Sequence, residues 1–268
     1  MPPNAALNTI CIPALQSNYF WLVQPIAAAP FAYVFDPGDG KPIMAALKSH
    51  RLHPAAILIT HHHHDHVNGI AHLREHYPQI PVYGPPNPAI PLLSHPLAAG
   101  ETLQLNQFTL EVLPLPGHTP DHIGYLHRPD SGPWLVFSGD TLFSAGCGRL
   151  LGGTAEDLYH SLQGLAALPE DTLVYASHEY TLDNLNFALA VEPDNLEARA
   201  YRDNVQQRRA QGEPSLPTSI GLEQRINPFL RVHLPQIRAS VEAQAGKNLG
   251  SGVEVFAALR RWKDQFSS

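Results

Sequence analysis

His61, His62, His63, His64, Asp65 and His66 follow directly on the apolar residues 55–60. Imidazole and carboxylate are the donors that zinc, iron and manganese accept, so this run has the chemistry of a metal site at the tip of a strand. A purification tag would sit at a terminus, lack the aspartate and not follow a strand-like run. A solvated, histidine-rich loop is the other plain reading, and the rest of the chain decides between the two.

Three further apolar runs each stop at a candidate ligand: residues 110–117 at His118, residues 134–139 at Asp140 and residues 173–177 at His178. One histidine at a strand end means little, but four coincidences of position and type favour convergence on a common site. The donors are His61, His63, His66, His118, His178, Asp65 and Asp140. Structural zinc sites are usually cysteine-rich, and this set has no cysteine and too many members for one tetrahedral ion. It fits two divalent ions that share a bridging carboxylate and a water, with zinc the default and iron or manganese the alternatives. Alternation along an extended turn would put His61 and His63 on one side and turn His62 and His64 away. Two such ions lower the pKa of bound water from about 15.7 to about 7, which supplies a hydroxide nucleophile at neutral pH. No Gly-x-Ser-x-Gly elbow offers a serine instead.

The elements that must present these donors alternate in type. Strands are expected at residues 8–15, 19–25 and 31–35, then a turn at Asp36-Pro37-Gly38-Asp39-Gly40. A helix over 42–50, a strand over 55–60 and a helix over 67–77 follow, so strand, ligand turn and helix come in order. Residues 84–100 contain many prolines and read as a surface connection, after which strands are expected at 108–115, 122–127 and 134–138. Leu158, Leu162 and Leu165 mark a helix over 155–168. From Leu182 onward Leu185, Leu189, Leu196, Tyr201 and Val205 keep a helical spacing. The expected organisation is an α/β catalytic domain over residues 1–178 and a smaller helical, substrate-binding domain over 179–268.

Composition narrows the function. The chain of 268 residues is 44% hydrophobic and 15% charged, which is ordinary for a folded protein. Its net charge of −7 is uneven: residues 1–178 hold 6 Lys/Arg against 13 Asp/Glu, and residues 179–268 hold 11 of each. That balance argues against nucleic acid as a partner and leaves room for a local pocket for a small anion. No bilayer-spanning run and no secretory pattern over residues 1–8 are evident, so a cytoplasmic enzyme without a membrane partner, acting as a monomer, is the expectation. Cys11 and Cys147 form no paired motif, and Cys147 is given no catalytic role.

Thr60-His61-His62-His63-His64-Asp65-His66 has the Thr-His-x-His-x-Asp-His signature of the metallo-β-lactamase superfamily, and Pro116-Gly117-His118-Thr119, Gly139-Asp140-Thr141 and His178-Glu179-Tyr180-Thr181 follow in order. Within it the chain resembles the glyoxalase II, or hydroxyacylglutathione hydrolase, family through Gly146-Cys147-Gly148-Arg149, Asn227-Pro228-Phe229-Leu230-Arg231 and Arg260-Arg261-Trp262-Lys263-Asp264-Gln265-Phe266. The resemblance implies an αββα sandwich with a C-terminal helical domain. It implies that His61, His63 and His118 hold one ion, that Asp65, His66 and His178 hold the other, that Asp140 bridges, and that a metal-bound hydroxide is held by Asp65 and Asp140. It implies thioester hydrolysis of S-D-lactoylglutathione in methylglyoxal detoxification, with the glutathione held by Arg149, Tyr180, Arg260 and Lys263; glutathione is anionic, and arginine meets carboxylates in a fork geometry. Leu151 and Gly152 stand where that family usually has an aromatic and an acid, and Asp121 stands where it has glycine. The rival expectations are a one-iron persulfide dioxygenase of the same fold and a metal-binding protein without turnover.

Overall fold

The structure, a computed structural model, describes residues 7–26 and 29–266. The reading of residues 1–8 as free of a secretory pattern falls mostly outside that range. The described chain forms two compact units, one reaching to Pro114 together with Ile123–Arg128, the other comprising Leu115–His122 and the chain from Pro129 onward.

The first unit contains β1 (Asn8–Ala14), β2 (Asn18–Gln24), β3 (Phe31–Phe35), α1 (Gly40–His50), β4 (His53–Leu58), α2 (His64–Val67), α3 (Ile70–His76), β5 (Val82–Gly84), β6 (His95–Pro96), β7 (Thr102–Leu105), β8 (Phe108–Pro114) and β9 (Ile123–His127). Strands β1 to β6 make one sheet in chain order, antiparallel from β1 to β3 and parallel from β3 to β6. Strands β7, β8 and β9 form an antiparallel ladder.

Period-two alternation builds the layers. Along β3, Ala32 and Val34 join a core with Ile43 and Leu47 of α1 and Ile70 and Leu73 of α3. The intervening Tyr33 and Phe35 point the other way, where Tyr33 stacks on Phe108 (5.4 Å) and Phe35 meets the edge of Tyr125 (5.7 Å). Such buried strands have no polar face, which is why β2 reads Asn-Tyr-Phe-Trp-Leu-Val-Gln and is buried throughout. The order within this unit is therefore helix, sheet, ladder.

The ladder also grips the residues that launch the histidine run. Ile123 N–H donates to the Thr60 carbonyl (3.0 Å), and the buried Tyr125 hydroxyl donates to the Ile59 carbonyl (2.7 Å). Burial holds the Tyr125 phenol well above its usual range, so it stays a donor.

The second unit contains β10 (Leu135–Gly139), β11 (Leu142–Phe143), β12 (Gly146–Cys147), α4 (Ala155–Ala166), β13 (Leu173–Ala176), α5 (Thr181–Val191), α6 (Leu196–Ala210), β14 (Thr218–Ser219), α7 (Ile220–Ile226), α8 (Pro235–Ala245) and α9 (Gly252–Gln265). Strand β13 lies between β10, which it pairs in parallel, and β14, which it pairs antiparallel, while β11 and β12 close a small hairpin. Leu158, Leu162 and Leu165 of α4 are buried at the expected spacing. Leu185, Ala198, Val205 and Ile226 tie α5, α6 and α7 into one core with Ala145.

Most expected strands and helices are present within a residue or two. One expectation needs correction: the helix placed at 67–77 is two helices, α2 and α3, separated at Asn68-Gly69. Gly69 lies where a Cβ would come within 2.4 Å of the Pro37 carbonyl, and its N–H donates to that oxygen (2.7 Å). The strands β5, β6, β7, β11, β12 and β14 are additions to the sequence reading, and β6, which pairs with β5, lies within the connection expected over residues 84–100.

Candidate functional site

In the first unit the ligand run leaves β4 through Ile59 and Thr60 and stays extended to His63, whose ψ is 148°. It then turns into α2, which carries Asp65 and His66, so only the first half of the run is the extended turn that the sequence suggested. His61 and His66 are fully buried and their rings lie 4.1 Å apart, while His64 points to solvent.

Asp36 organises this group. It sits just past the end of β3, and its two oxygens accept from the Thr60 N–H and the Thr60 hydroxyl, both at 2.8 Å. The hydroxyl, having donated, accepts from His61 Nδ1–H (3.1 Å), which leaves the lone pair of His61 on Nε2. That atom is 3.0 Å from His63 Nδ1. Two nitrogens on one tetrahedral ion with bonds of about 2.0–2.1 Å are separated by about 3.3 Å, so the pair fits a shared cation. Asp36 Oδ2 is also 3.2 Å from His66 Nδ1, the carboxylate–histidine arrangement that turns Nε2 toward a metal. Asp65 accepts from Asn18 Nδ2 (3.0 Å) and lies 3.7 Å from His66 Nε2. At Gly38 a Cβ would fall 1.8 Å from the Asp65 carbonyl oxygen, so only glycine lets the turn after Asp36 pass this close to α2.

In the second unit Asp140 is the hub. Its Oδ2 is 3.5 Å from His118 Nε2 and 3.4 Å from His178 Nε2. His118 Nδ1–H donates to the Arg149 carbonyl (2.8 Å), leaving Nε2 as the lone-pair atom on the Asp140 side. Asp140 N–H donates to His122 Nε2 (3.1 Å), so His122 is a neutral acceptor that fixes the backbone of the aspartate. Tyr180 stacks parallel on His178 (4.7 Å, 3°), and the edge of Phe143 meets both rings.

Residues 143–149 carry Arg149 and are held from a distance in sequence. Glu223 of α7, fully buried, accepts from Ser144 Oγ (3.0 Å), Ala145 N–H (2.7 Å), Thr218 Oγ1 (2.7 Å) and Asn227 Nδ2 (3.0 Å). Burial pushes its carboxyl above the usual range, with the four donors pulling it back. Asn227 also donates to the Phe143 and Gly146 carbonyls, and Asn184 to the Ser144 carbonyl. Ala145 has φ of 55°, left-handed backbone that costs an alanine about 1–2 kcal/mol and that these bonds offset. A Cβ at Gly148 would fall 2.0 Å from the Asp140 carbonyl.

The expected glutathione contacts divide. Arg149 is 71% exposed, 3.8 Å from Asp264, and Tyr180 is partly exposed. Lys263 donates to the Asp183 carbonyl (3.0 Å) over the Phe187 ring (5.3 Å); desolvation, aided by the Arg260 charge, lowers its pKa to about 8. Arg260 is only 3% exposed. Its Nη1 donates to the Cys147 carbonyl (2.9 Å) and its Nη2 to Asp264 (3.0 Å), so it braces the loop rather than lying on a solvated helix face. Burial pushes the Cys147 thiol up to about 11, which keeps it protonated at neutral pH.

The sequence assigned no role to the partners Asp36, Asn18, His122, Glu223 and Asn227, although Asn227 lies in the family motif at 227–231. Asp36 carried a readable signal, an acid at a strand end like the donors themselves. Glu223 carried none.

Comparison with known proteins agrees with this chemistry. Residues 15–178 match the family model described as metallo-beta-lactamase superfamily, and residues 179–266 match the model described as hydroxyacylglutathione hydrolase C-terminus. The chain is 49% identical to the hydroxyacylglutathione hydrolase of Aliivibrio salmonicida over 95% of its own length and 98% of the relative's. It is 45% identical to that of Nitrosomonas europaea, over 97% of each. Among solved structures it is similar to ETHE1 from Myxococcus xanthus, with 26% identity, a TM-score of 0.63 and coverage of 96% of this chain and 98% of that one.

Proposed function

Because the chain belongs to the hydroxyacylglutathione hydrolase family of the metallo-β-lactamase superfamily, we propose that it hydrolyses S-2-hydroxyacylglutathione, S-D-lactoylglutathione first among them, to D-lactate and glutathione in methylglyoxal detoxification. The observation that carries this reading is similarity over nearly the whole chain to relatives of that name. The likeness to ETHE1 from Myxococcus xanthus, at 26% identity, is weaker than this.

By the family's pattern His61, His63 and His118 would hold one divalent ion, Asp65, His66 and His178 the other, and Asp140 would serve both. The metal is zinc by default, with iron or manganese able to use the same donors. When bound, the ions acidify water and polarise the thioester carbonyl. The protein's own part is preorganisation. The Asp36–Thr60–His61 relay and the Arg149 carbonyl on His118 fix tautomers with the lone pair on Nε2, which supports ligation through that atom. Asp65 and Asp140 supply the carboxylates that orient the attacking water. Arg149, Tyr180 and Lys263 receive the anionic glutathione. Arg260 supports them through the loop and keeps one buried donor, Nε, with no protein partner among the described residues, which a ligand carboxylate can fill. On this reading residues 1–178 carry the chemistry and the Arg149 contact, and residues 179–268 the other substrate contacts.

The test compares initial rates of thioester loss for S-D-lactoylglutathione and for the same acyl group on a thiol without glutathione's carboxylates. A strong preference for the glutathione ester is expected, with no oxygen uptake, and Asp140→Ala is expected to lose both metal and turnover. Equal rates would reject the glutathione pocket. Absence of hydrolysis by metal-loaded protein would reject the reading altogether.

A further inference from the structure

Helix α3 carries a second set of metal donors that the proposed reaction does not use. His72 and His76 are one helical turn apart, and Glu75 lies between them in the chain, three residues from His72. Positions i, i+3 and i+4 share a helix face. The two imidazole rings are 5.0 Å apart at an angle of 55°. His72 Nδ1 is 3.6 Å from Glu75 Oε2, and one ligand atom from each of the three residues falls within 4.8 Å of the others.

Two local contacts prepare the group. His76 Nδ1–H donates to the His72 carbonyl (3.1 Å), which fixes its tautomer and leaves the Nε2 lone pair for a ligand bond. The His72 ring lies against Gly40 at the start of α1, where a Cβ would come within 2.7 Å of His72 Cδ2; a missing side chain there gives the imidazole its seat. Glu75 and His76 also lie in the last turn of the helix, where the unpaired carbonyl ends favour positive charge.

We propose that His72, Glu75 and His76 form a surface site for a divalent transition-metal ion, distinct from the donors assigned to hydrolysis. Two imidazoles and one carboxylate make a three-coordinate protein set with remaining positions open to water. Nitrogen donors of this kind favour Cu2+ over Ni2+ and Zn2+. A helix-borne pair at i, i+4 is the same geometric device by which a His-x-x-x-His helix grips zinc, here with the acid immediately before the second histidine.

The experiment dialyses the full-length protein against buffer containing excess free Zn2+, removes unbound metal by gel filtration and counts zinc per chain by mass spectrometry. Wild type is expected to hold one equivalent more than the His72→Asn/His76→Ala double variant. His76→Ala alone, at an exposed position, is expected to lose the same equivalent with its thermal unfolding and thioester hydrolysis unchanged. Added Cu2+ gives a second readout: zinc-loaded wild type should show a nitrogen-coordinated Cu2+ resonance that both variants lack. Equal zinc content and equal copper spectra in wild type and variants would overturn the site.

Discussion

The two groups of candidate ligands are built in opposite ways. In the first unit four donors lie within six residues of one another, from His61 to His66, and their main organiser, Asp36, lies on the neighbouring strand end. In the second unit His118, Asp140 and His178 come from three separate loops, and residues 143–149 beside them are held by side chains 40 to 113 residues away, from Asn184 to Arg260. The first group is fixed by contiguity and sheet pairing. The second is fixed by buried polar bonds from helices. Damage to the support of the first, Asp36, should therefore appear mainly in metal binding, and damage to the braces of the second mainly in stability and substrate affinity.

The largest expected effect tests the first half of that contrast. Asp36→Asn keeps a side chain that tolerates the left-handed φ of 47° at this position, but it replaces one of two acceptor oxygens with a donor. Metal affinity or turnover should fall by about 10–100-fold, read by competition with a chromogenic chelator, while the unfolding midpoint moves little. A large loss of stability with intact metal binding would break the comparison.

The second test exchanges Glu223. Leucine there leaves the Ser144 and Thr218 hydroxyls and the Ala145 N–H, all buried, unsatisfied and should cost about 3 kcal/mol in denaturant unfolding. Glu223→Gln should cost less than about 1 kcal/mol, because its amide oxygen can accept from Ala145 and Asn227 while the Ser144 and Thr218 hydroxyls rotate to accept its N–H groups. The carboxyl's raised native pKa sets the sign of the pH dependence. The native state keeps a proton that the unfolded state has released, so this contribution is complete below the unfolded value of about 4.5 and is lost as pH rises through the higher native one. Wild type should therefore lose stability relative to Glu223→Gln on moving up from about pH 4.5, and parallel curves would contradict the assignment.

The smallest effect concerns Lys263. With its pKa lowered to about 8, it is charged at pH 7 and largely neutral at pH 9. The KM for a glutathione thioester should rise a few-fold over that interval in wild type, and Lys263→Arg should flatten the rise, since arginine keeps its charge. A pH-independent KM in wild type would remove Lys263 from the substrate contacts.

The same asymmetry decided what was legible in the sequence. The run from His61 to His66 announces itself because its members are adjacent, and His118, Asp140 and His178 were found because each follows an apolar strand. The split between α2 and α3 was missed, since a run of histidines carries no helical period and the break depends on how closely Gly69 approaches Pro37. The hairpin of β11 and β12 has strands of two residues, too short for any alternation to register. Arg260 stood among the glutathione contacts only through the family resemblance, and its burial, which follows from a carbonyl 113 residues earlier in the chain, had no signal in the sequence. Glu223 could not be recognised at all without knowing that Ser144 and Ala145 would arrive beside it.

The long reach of those braces has a consequence for the order of folding. Closing a loop of n residues costs about (3/2)RT ln n, so the contacts of Glu223 with Ala145, 78 residues apart, and of Arg260 with Cys147, 113 apart, carry a larger entropic penalty than any contact within the histidine run. Non-local closures of this kind are slow to form. On the proposed assignment of ligands, metal supplied early in refolding would meet the histidine run before the Arg149 loop has been secured, a half-built set of donors that later folding must complete.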